Sequence, residues 1–463
     1  MLDYLLAVII CLPGGVALAL PLLEKKADAA RLIALAILSA EVPMLLALCC
    51  ITNAGEITGS FYALTRHHVL LAMCATLAVA IATYGSDMVL SWPTGASFQC
   101  LVLIMAAGLY AMSIARDLLG IVSAWILTSI ASYAMTALAK YKRSSEGAAK
   151  YAIMGSASTT LLFLGVILTY AALRGLELGG SMSLPEQAAL FMALLFIAAM
   201  GFKMGVFPFH GWLPDTYGIT YPALIAVVSC VAKALALMAL LKISFIVAPA
   251  LGESWLYVLA FFSIATMLYG NLGALLQNDA QRLLAFSSIA HAGYLLTGLA
   301  SLSPIQGAIP EWGIAGLIIH YAAYSLAKAG SFLTLAILRE ERESTSLASL
   351  RGLGREDPVL AGSFAILLLS LMGMPPLLGF WGKLYLFASV VFSAPWLTAA
   401  ALLNTAVSVA YYARVLKAMY FEASEAASRF RTVKVEASRK AVLLTALLTI
   451  ALGLGPIQIV VFS

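Results

Sequence analysis

Residues 200–229, MGFKMGVFPFHGWLPDTYGITYPALIAVVS, contain the features on which the predicted architecture depends. An apolar segment with one lysine, Lys203, runs into Pro208 and His210 before apolar sequence resumes at Pro222. Proline removes a backbone donor and clashes with the preceding turn, so the stretch predicts a helix broken at Pro208. Broken helices persist at membrane depth where protein or a watery cavity satisfies the freed backbone, and ion sites lie at such breaks. The stretch therefore predicts a protein that brings charge into a membrane.

The composition of the whole chain agrees with this prediction. Of the 463 residues, 62% are hydrophobic and 11% are charged, whereas charged residues make up about a quarter of soluble domains. Because about 20 apolar residues span the hydrocarbon core, the chain divides into about fourteen spans. The sequence predicts an all-α polytopic membrane protein with spans at residues 2–23, 32–52, 69–92, 98–115, 118–139, 151–173, 187–209, 221–247, 254–276, 283–302, 313–338, 359–393, 396–420 and 441–462.

Cysteine usage and charge exclude several other classes. The six cysteines lie in apolar segments without a CxxC motif or a histidine at metal-ligand spacing, which argues against iron–sulfur clusters, zinc sites and disulfides. We therefore expect no metal site and no cofactor in this chain. Asp3 and the lack of a basic region before the first span predict a retained helix instead of a cleaved signal peptide. The net charge of +5 requires no nucleic-acid partner.

The distribution of basic residues predicts the orientation. Short cytoplasmic loops collect Lys and Arg, and most of the 27 Lys and Arg residues share one side if the N-terminus faces out. Both termini are then predicted on the external side. The external loops keep only Arg66, Arg116, Arg174 and Lys242.

A second apolar span is interrupted like the first. Pro375 and Pro376 interrupt residues 359–393, and Lys383 follows. Two Gly/Pro-interrupted spans in corresponding positions indicate structural repeats, and an odd number of helices in each repeat makes the two copies inverted. We predict a three-helix scaffold (1–97), two inverted five-helix repeats (98–248 and 254–420) and a cytoplasmic loop with the last helix (421–463).

Several charged or polar side chains are predicted inside the apolar spans. Lys203 and Lys233 have no charged neighbour in sequence, and a bare charge at mid-membrane is costly and usually functional. His320, Tyr324 and Lys328 are spaced four apart and share one helix face. This row is either a proton or water path or a seam of interhelical hydrogen bonds.

Four further residues each have two interpretations or an open role. Lys150 at the mouth of the sixth span is, by itself, most simply an anchor on the positive side. His210 either titrates near neutral pH or is satisfied by the loop backbone, and His291 lies inside the tenth span. Glu41 in the second span either pairs with a neighbouring subunit or extends toward the membrane surface.

Four motifs resemble one family. KYAIMGSAST (150–159), FKMGVFPFHGWLPDTY (202–217), RLLAFSSIAHAGYLL (282–296) and GMPPLLGFWGK (373–383) are similar to the antiporter-like proton-translocating subunits of complex I and its relatives, most closely the N-subunit type. The family also includes subunits of membrane-bound hydrogenases, the coenzyme F(420) dehydrogenase and multi-subunit sodium/proton antiporters. The resemblance extends over residues 116–383.

The resemblance implies roles for individual residues. It places Lys150 at the family's sixth-helix lysine, Lys203 at the seventh-helix lysine and Lys233 at the connecting lysine of the eighth helix. It places Lys383 at the terminal lysine or glutamate of the twelfth helix, and His320 and Lys328 at polar positions of the central axis. The family's fifth-helix glutamate should follow Trp125, where this chain has Ile126. A carboxylate there would favour the charged form of the buried lysine, so either another acid replaces it or this half-channel is uncoupled.

The resemblance also implies a function and partners. The expected function is translocation of protons, or of sodium, by a membrane subunit of a redox-driven complex in a prokaryotic cytoplasmic membrane. Expected partners are further antiporter-like membrane subunits, lipid, and subunits elsewhere in the complex that carry flavin or iron–sulfur clusters and perform the oxidoreductase chemistry. The alternatives are a structural subunit with a degenerate ion path and a subunit of a multi-subunit sodium/proton antiporter without redox chemistry.

Overall fold

The computed structural model describes residues 2–52, 55–59, 62–138, 142–173, 175, 185–423 and 435–455. These residues form mainly α-helices, with two 3₁₀ helices (Leu20–Lys26 and Leu347–Leu350) and a hairpin of β1 (Ile57–Thr58) and β2 (Ala63–Leu64) that the sequence did not predict. The helices are α1 (Leu2–Ala19), α2 (Ala27–Ile51), α3 (Arg66–Tyr84), α4 (Asp87–Leu90), α5 (Gly95–Ile114), α6 (Leu118–Ala137), α7 (Lys142–Leu173), α8 (Glu186–Met204), α9 (Trp212–Tyr217), α10 (Pro222–Leu251), α11 (Glu253–Leu275), α12 (Ala280–Ala300), α13 (Pro310–Arg342), α14 (Leu353–Glu356), α15 (Pro358–Met372), α16 (Leu378–Ala388), α17 (Pro395–Phe421) and α18 (Glu436–Leu454).

The helices confirm the polytopic all-α class. By length and composition, twelve stretches of the described chain can cross a membrane, and the first of them, Leu2–Ile51, contains both α1 and α2. The predicted span 359–393 consists of the shorter helices α15 and α16. Each predicted span therefore corresponds to one helix or to a helix pair, although the structure describes the last one only as far as residue 455.

The centre of the bundle is formed by α10, α12 and α13, whose apolar windows are completely buried. Helices that are apolar on all sides are expected in the core of a large protein. α13 packs against α3, α10, α12, α15, α16 and α18. Side chains on these three helices are therefore held away from lipid by surrounding protein.

The first helix break lies at the end of α8. Gly205 has φ 85, a conformation that glycine adopts without steric cost. Its N–H bonds to the Phe202 carbonyl at 3.0 Å, and the Val206 N–H bonds to the Gly201 carbonyl at 2.7 Å, which is a Schellman motif. The predicted span reached residue 209, but the helix ends earlier because this glycine closes it before Pro208.

The second break repeats this geometry at the end of α15. Gly373 has φ 94, and its N–H bonds to the Ser370 carbonyl at 3.0 Å. The Met374 N–H bonds to the Leu369 carbonyl at 3.0 Å. Both breaks therefore leave carbonyl groups of the last helical turn without the helix's own donors.

Candidate ion-translocation site

Lys203 lies in a cage of aromatic side chains at the end of α8. It is 2% exposed, and its Nζ donates a hydrogen bond to Ser129 Oγ at 2.6 Å. The same Nζ lies 5.2 Å from the ring centroid of Trp125, 5.3 Å from Tyr133 and 5.8 Å from Tyr151. Rings at this distance attract a cation through their quadrupole. The described residues place no carboxylate in contact with this ammonium.

The cage follows from the spacing of residues on α6. Trp125, Ser129 and Tyr133 recur every four residues and therefore share one helix face. Tyr151 enters from α7 and is held by Trp212, whose ring stacks on it at 4.1 Å. Three elements thus determine where the Lys203 ammonium can lie.

Ile126, which stands where the family has a glutamate, lies on the side of α6 that carries Ser129 and Tyr133. Ile126, Ser129 and Tyr133 are spaced i, i+3 and i+7, which places them along one stripe of the helix. Ile126 is partly buried against the core. A serine hydroxyl and three rings therefore stand around Lys203, and the stripe supplies no acid in the described structure.

Lys150 lies at the surface, outside the buried lysine row formed by Lys203, Lys233, Lys328 and Lys383. Its side chain is 46% exposed, and its Nζ lies 3.0 Å from Asp215 Oδ2 and 3.1 Å from Glu146 Oε1. Arg282 Nη2 lies 3.7 Å from Asp215 Oδ1. This network joins α7, α9 and α12, and it is one residue from Tyr151 of the cage. Sequence reasoning missed Asp215, although it lies in the motif quoted for the first break.

Lys233 binds the first helix break from α10. Its Nζ donates to the Met204 carbonyl at 2.9 Å and to the Ser288 carbonyl at 2.9 Å. Met204 is the last residue of α8, so the lysine donates a hydrogen bond to a carbonyl that the break leaves without a helical donor. Cations near a helix C-terminus are stabilised by its carbonyls and dipole.

Lys383 binds the second break in the same way. Its Nζ donates to the Met372 carbonyl at 2.9 Å, and Met372 is the last residue of α15. The ring of Tyr294 lies 4.7 Å from the ammonium. Both breaks therefore present the carbonyl of their last helical residue to a buried lysine.

Lys328 and Tyr324 continue the row on α13. The Tyr324 ring centroid lies 4.9 Å from Lys233 Nζ and 5.8 Å from Lys328 Nζ. Lys328 is fully buried, and its Nζ donates to the Leu284 carbonyl at 2.6 Å and to Ser287 Oγ. Tyr324 therefore contacts two of the buried ammonium groups.

A histidine pair links α12 to α13. His291 Nδ1 and His320 Nε2 are 3.0 Å apart, and His291 Nε2 lies 3.4 Å from the Tyr412 hydroxyl. A neutral imidazole has one donor and one acceptor nitrogen, so the three groups can form a continuous hydrogen-bonded chain. His291 also interacts electrostatically with the ammonium groups of Lys233, Lys328 and Lys383.

His210 and Glu41 lie apart from this row. His210 packs its ring against Phe207 at 5.5 Å and Tyr269 at 3.9 Å, and within the described chain it makes no hydrogen bond to the row. Glu41 is fully buried, and neither carboxyl oxygen has a hydrogen-bond partner among the described residues. Both expectations for Glu41, pairing with a neighbouring subunit and reaching the membrane surface, are wrong because its own chain encloses it.

Sequence reasoning also missed several residues that complete the row. Ser287 and Tyr294 lie in the RLLAFSSIAHAGYLL motif, yet only His291 was selected from it. Ser129 and Tyr412 carry no signal in sequence, because hydroxyl groups are common in apolar helices. Their roles appear only where another helix brings a lysine or a histidine to them.

The comparisons with known proteins agree with the geometry. Residues 115–408 match the family described as "NADH:quinone oxidoreductase/Mrp antiporter, TM". NADH-quinone oxidoreductase subunit N 1 of Roseiflexus castenholzii is 36% identical over 396 residues, covering 78% of this chain and 71% of that protein. F(420)H(2) dehydrogenase subunit N of Methanosarcina mazei is 32% identical over 390 residues, covering 79% and 75%. These matches confirm the resemblance seen in the four motifs.

Solved structures show the same architecture. A chain of respiratory complex I from Thermus thermophilus with bound aureothin has a TM-score of 0.80 and 30% identity, with 98% of this chain and 97% of that chain covered. A chain of the Mrp complex from Dietzia sp. has a TM-score of 0.87 at 20% identity, covering 98% and 95%, and shows a likeness of fold. Both matches are chains of multi-subunit complexes.

Proposed function

The chain belongs to the NADH:quinone oxidoreductase/Mrp antiporter transmembrane family, and from this premise we propose that it translocates protons as a membrane subunit of a redox-driven complex. The observation that carries the proposal is the buried row, in which Lys233 and Lys383 each bind the carbonyl freed at a helix break. Placing a lysine inside a membrane costs free energy, so lysines at such depth are rare and usually functional. Within the row, the Tyr324 ring lies between Lys233 and Lys328, and the Tyr294 ring lies between His320 and Lys383.

The chemistry of the row favours protons over sodium. Lysine, histidine and tyrosine can each release and accept a proton, whereas an ammonium group offers only donors. Na⁺ would need oxygen ligands and would be repelled by the protonated lysines. The row therefore matches a proton carrier better than a sodium site.

Electrostatic coupling supplies the mechanism. Charges a few ångströms apart in a poorly solvated interior interact by several kcal/mol. A proton that arrives at one lysine therefore disfavours the charged state of the next lysine. That lysine then releases its own proton, and the effect passes along the row. The carbonyls of Met204 and Met372 provide each receiving ammonium with a fixed acceptor at 2.9 Å.

The orientation and location follow from the basic loops. We place both termini on the external side of a prokaryotic cytoplasmic membrane, because the basic loops then face the cytoplasm. In this orientation the repeats of residues 98–248 and 254–420 provide two half-channels of opposite direction. Accessibility of a single engineered cysteine at Ser393, between α16 and α17, to an impermeant thiol reagent in intact cells tests the side.

The redox chemistry is proposed to reside in other subunits. The chain supplies no cofactor motif, and the relatives named above are subunits of NADH-quinone oxidoreductase and F(420)H(2) dehydrogenase. We expect subunits carrying flavin or iron–sulfur clusters, and further antiporter-like subunits, to purify with this chain in mild detergent. Recovery of membrane subunits alone, together with sodium/proton exchange in vesicles, would favour the antiporter without redox partners.

A structural subunit with a degenerate ion path is the second candidate, and Ile126 favours it. Replacing Ile126 by Glu places a carboxylate one turn from Ser129 on the stripe that faces Lys203. Since an acid nearby favours the charged lysine, we expect the rate of proton translocation by the reconstituted complex to change by at least about twofold. Ile126→Gln is the matched control, because it adds similar bulk and polarity without charge. Equal rates in the wild type and in both variants would show that the missing acid is immaterial here, and the Lys383→Ala experiment below then decides between a path and a structural subunit.

A further inference from the structure

A second charged site lies outside the lysine row, where the β hairpin meets the ends of three helices. A cavity of about 540 Å³ lies between the hairpin, the start of α3, the residue after α5 and the last part of α10. Its charged and titratable lining consists of Glu56, Arg66, His67, His68, Arg116 and Lys242. With both histidines neutral, three cations face one carboxylate among the described lining residues.

The cavity gathers basic side chains on the side of the membrane where the chain otherwise has few. In the proposed orientation the cavity opens on the external side, where basic residues are sparse. Arg66, Arg116 and Lys242 are three of the four Lys and Arg residues that the orientation places outside. A random scatter of anchoring charges would not gather them around one space.

The cavity has an exposed rim and a buried floor to which Lys242 contributes its ammonium group. Glu56 and Thr58 at the rim are exposed, whereas His68 is 2% and Lys242 is 7% exposed. Burying an ammonium is costly unless a partner compensates it. Lys242 Nζ donates to the Ala115 carbonyl at 2.9 Å, which occupies one of its three donors.

The hydrogen bonds of Lys242 and Arg116 to backbone carbonyls have structural roles, but these roles do not explain the open space between the two side chains. Lys242 holds the carbonyl that follows α5, and Arg116 Nη1 donates to the Gly59 carbonyl of the hairpin at 2.6 Å. Neither contact requires an open space between the cations. The Nε2 of His67, which also lines the cavity, is buried without a hydrogen-bond partner. These polar groups line a space that is large enough for a ligand.

The sign of the charge decides the class of ligand. An excess of positive charge disfavours metal cations and favours an anionic ligand. Arginine side chains match the geometry of phosphate oxygens, and lysine adds a point charge. We propose that the cavity binds a phosphate group, supplied either by the headgroup of an anionic phospholipid or by free phosphate.

Binding to the full-length purified chain tests the proposal. Native mass spectrometry measures retention of added phosphatidylglycerol by the delipidated protein, and equilibrium dialysis measures binding of radiolabelled inorganic phosphate. The variants are Arg66→Gln and Lys242→Gln, and the control is Lys440→Gln, which removes an exposed charge from α18. We expect the dissociation constant to rise about tenfold for each cavity variant, as for the loss of one charge-assisted contact.

The two measurements separate the two sources. Retention of phosphatidylglycerol that Arg66→Gln weakens, with no binding of inorganic phosphate, assigns a lipid headgroup. Binding of inorganic phosphate that the same variant weakens assigns a site for the free anion. Arg66→Gln decides the matter if Lys242→Gln fails to fold, since Lys242 binds the carbonyl that follows α5 and its loss is the change that can disturb the packing. Failure of the wild type to bind either probe, or equal binding by Arg66→Gln and Lys440→Gln, overturns the proposal.

Discussion

Replacing Lys383 by Ala is expected to reduce proton translocation by the reconstituted complex to below about a tenth of the wild-type rate. The substitution removes the ammonium that binds the Met372 carbonyl and contacts Tyr294. Charges a few ångströms apart in a poorly solvated interior interact by several kcal/mol, and ~1.4 kcal/mol already changes a rate tenfold. The measurement is the ratio of protons moved to electrons transferred in proteoliposomes.

The control for this experiment is Lys440→Ala. Lys440 is exposed on α18 and pairs with Glu436 at 2.7 Å, so its loss is expected to leave the ratio unchanged. The amount of copurifying subunits shows whether each variant complex assembles. A normal ratio in an assembled Lys383→Ala complex would contradict the proposed path and support a structural subunit.

Replacing Gly382 by Ala is expected to destabilise the chain by about 1–3 kcal/mol, the usual cost of overpacking, and to impair translocation. A Cβ at this position would lie 2.5 Å from His320 Cα and 2.7 Å from His320 N. These are backbone atoms that no rotamer change can move, so α16 must separate from α13. The separation would displace Lys383, the next residue, from the row. Thermal unfolding of the purified chain measures the first effect and proteoliposome assays the second.

Gly362→Ala is the matched control on α15. A Cβ at Gly362 would meet no atom within 4 Å. Alanine is also the better helix former by about 1 kcal/mol, so the unfolding temperature should stay the same or rise. If Gly382→Ala unfolds at the same temperature as Gly362→Ala, the close approach of α16 to α13 is not needed for stability.

The two glycines differ in a way that sequence cannot reveal. Each is a helical glycine in an apolar segment, and each would be read as a modest cost to its helix. Only the packed structure shows that one faces open space and the other a neighbouring backbone. The same distinction applies to Lys150 and Lys203, which resemble each other as single lysines near apolar sequence but differ greatly in exposure.

The amino-acid sequence was sufficient to predict the class of fold, the approximate position of both breaks and the lysines that lie within apolar spans. These features follow from local chemistry, because hydrophobic length, proline and isolated charge act over one or two turns. Even the family resemblance rests on short contiguous motifs. The proline pattern placed the end of this helix near residue 209, whereas α8 ends at Met204 and is closed by Gly205.

The contacts of each charged side chain could be read only from the packed helices. Lys150 meets Asp215, Lys203 meets Ser129, and the histidines meet each other across two helices. These partners are 65, 74 and 29 residues apart, so their contact depends on how helices pack and not on local pattern. Burial then fixes the consequence, because a charge enclosed by protein must find its acceptors among whatever groups the neighbouring helices present.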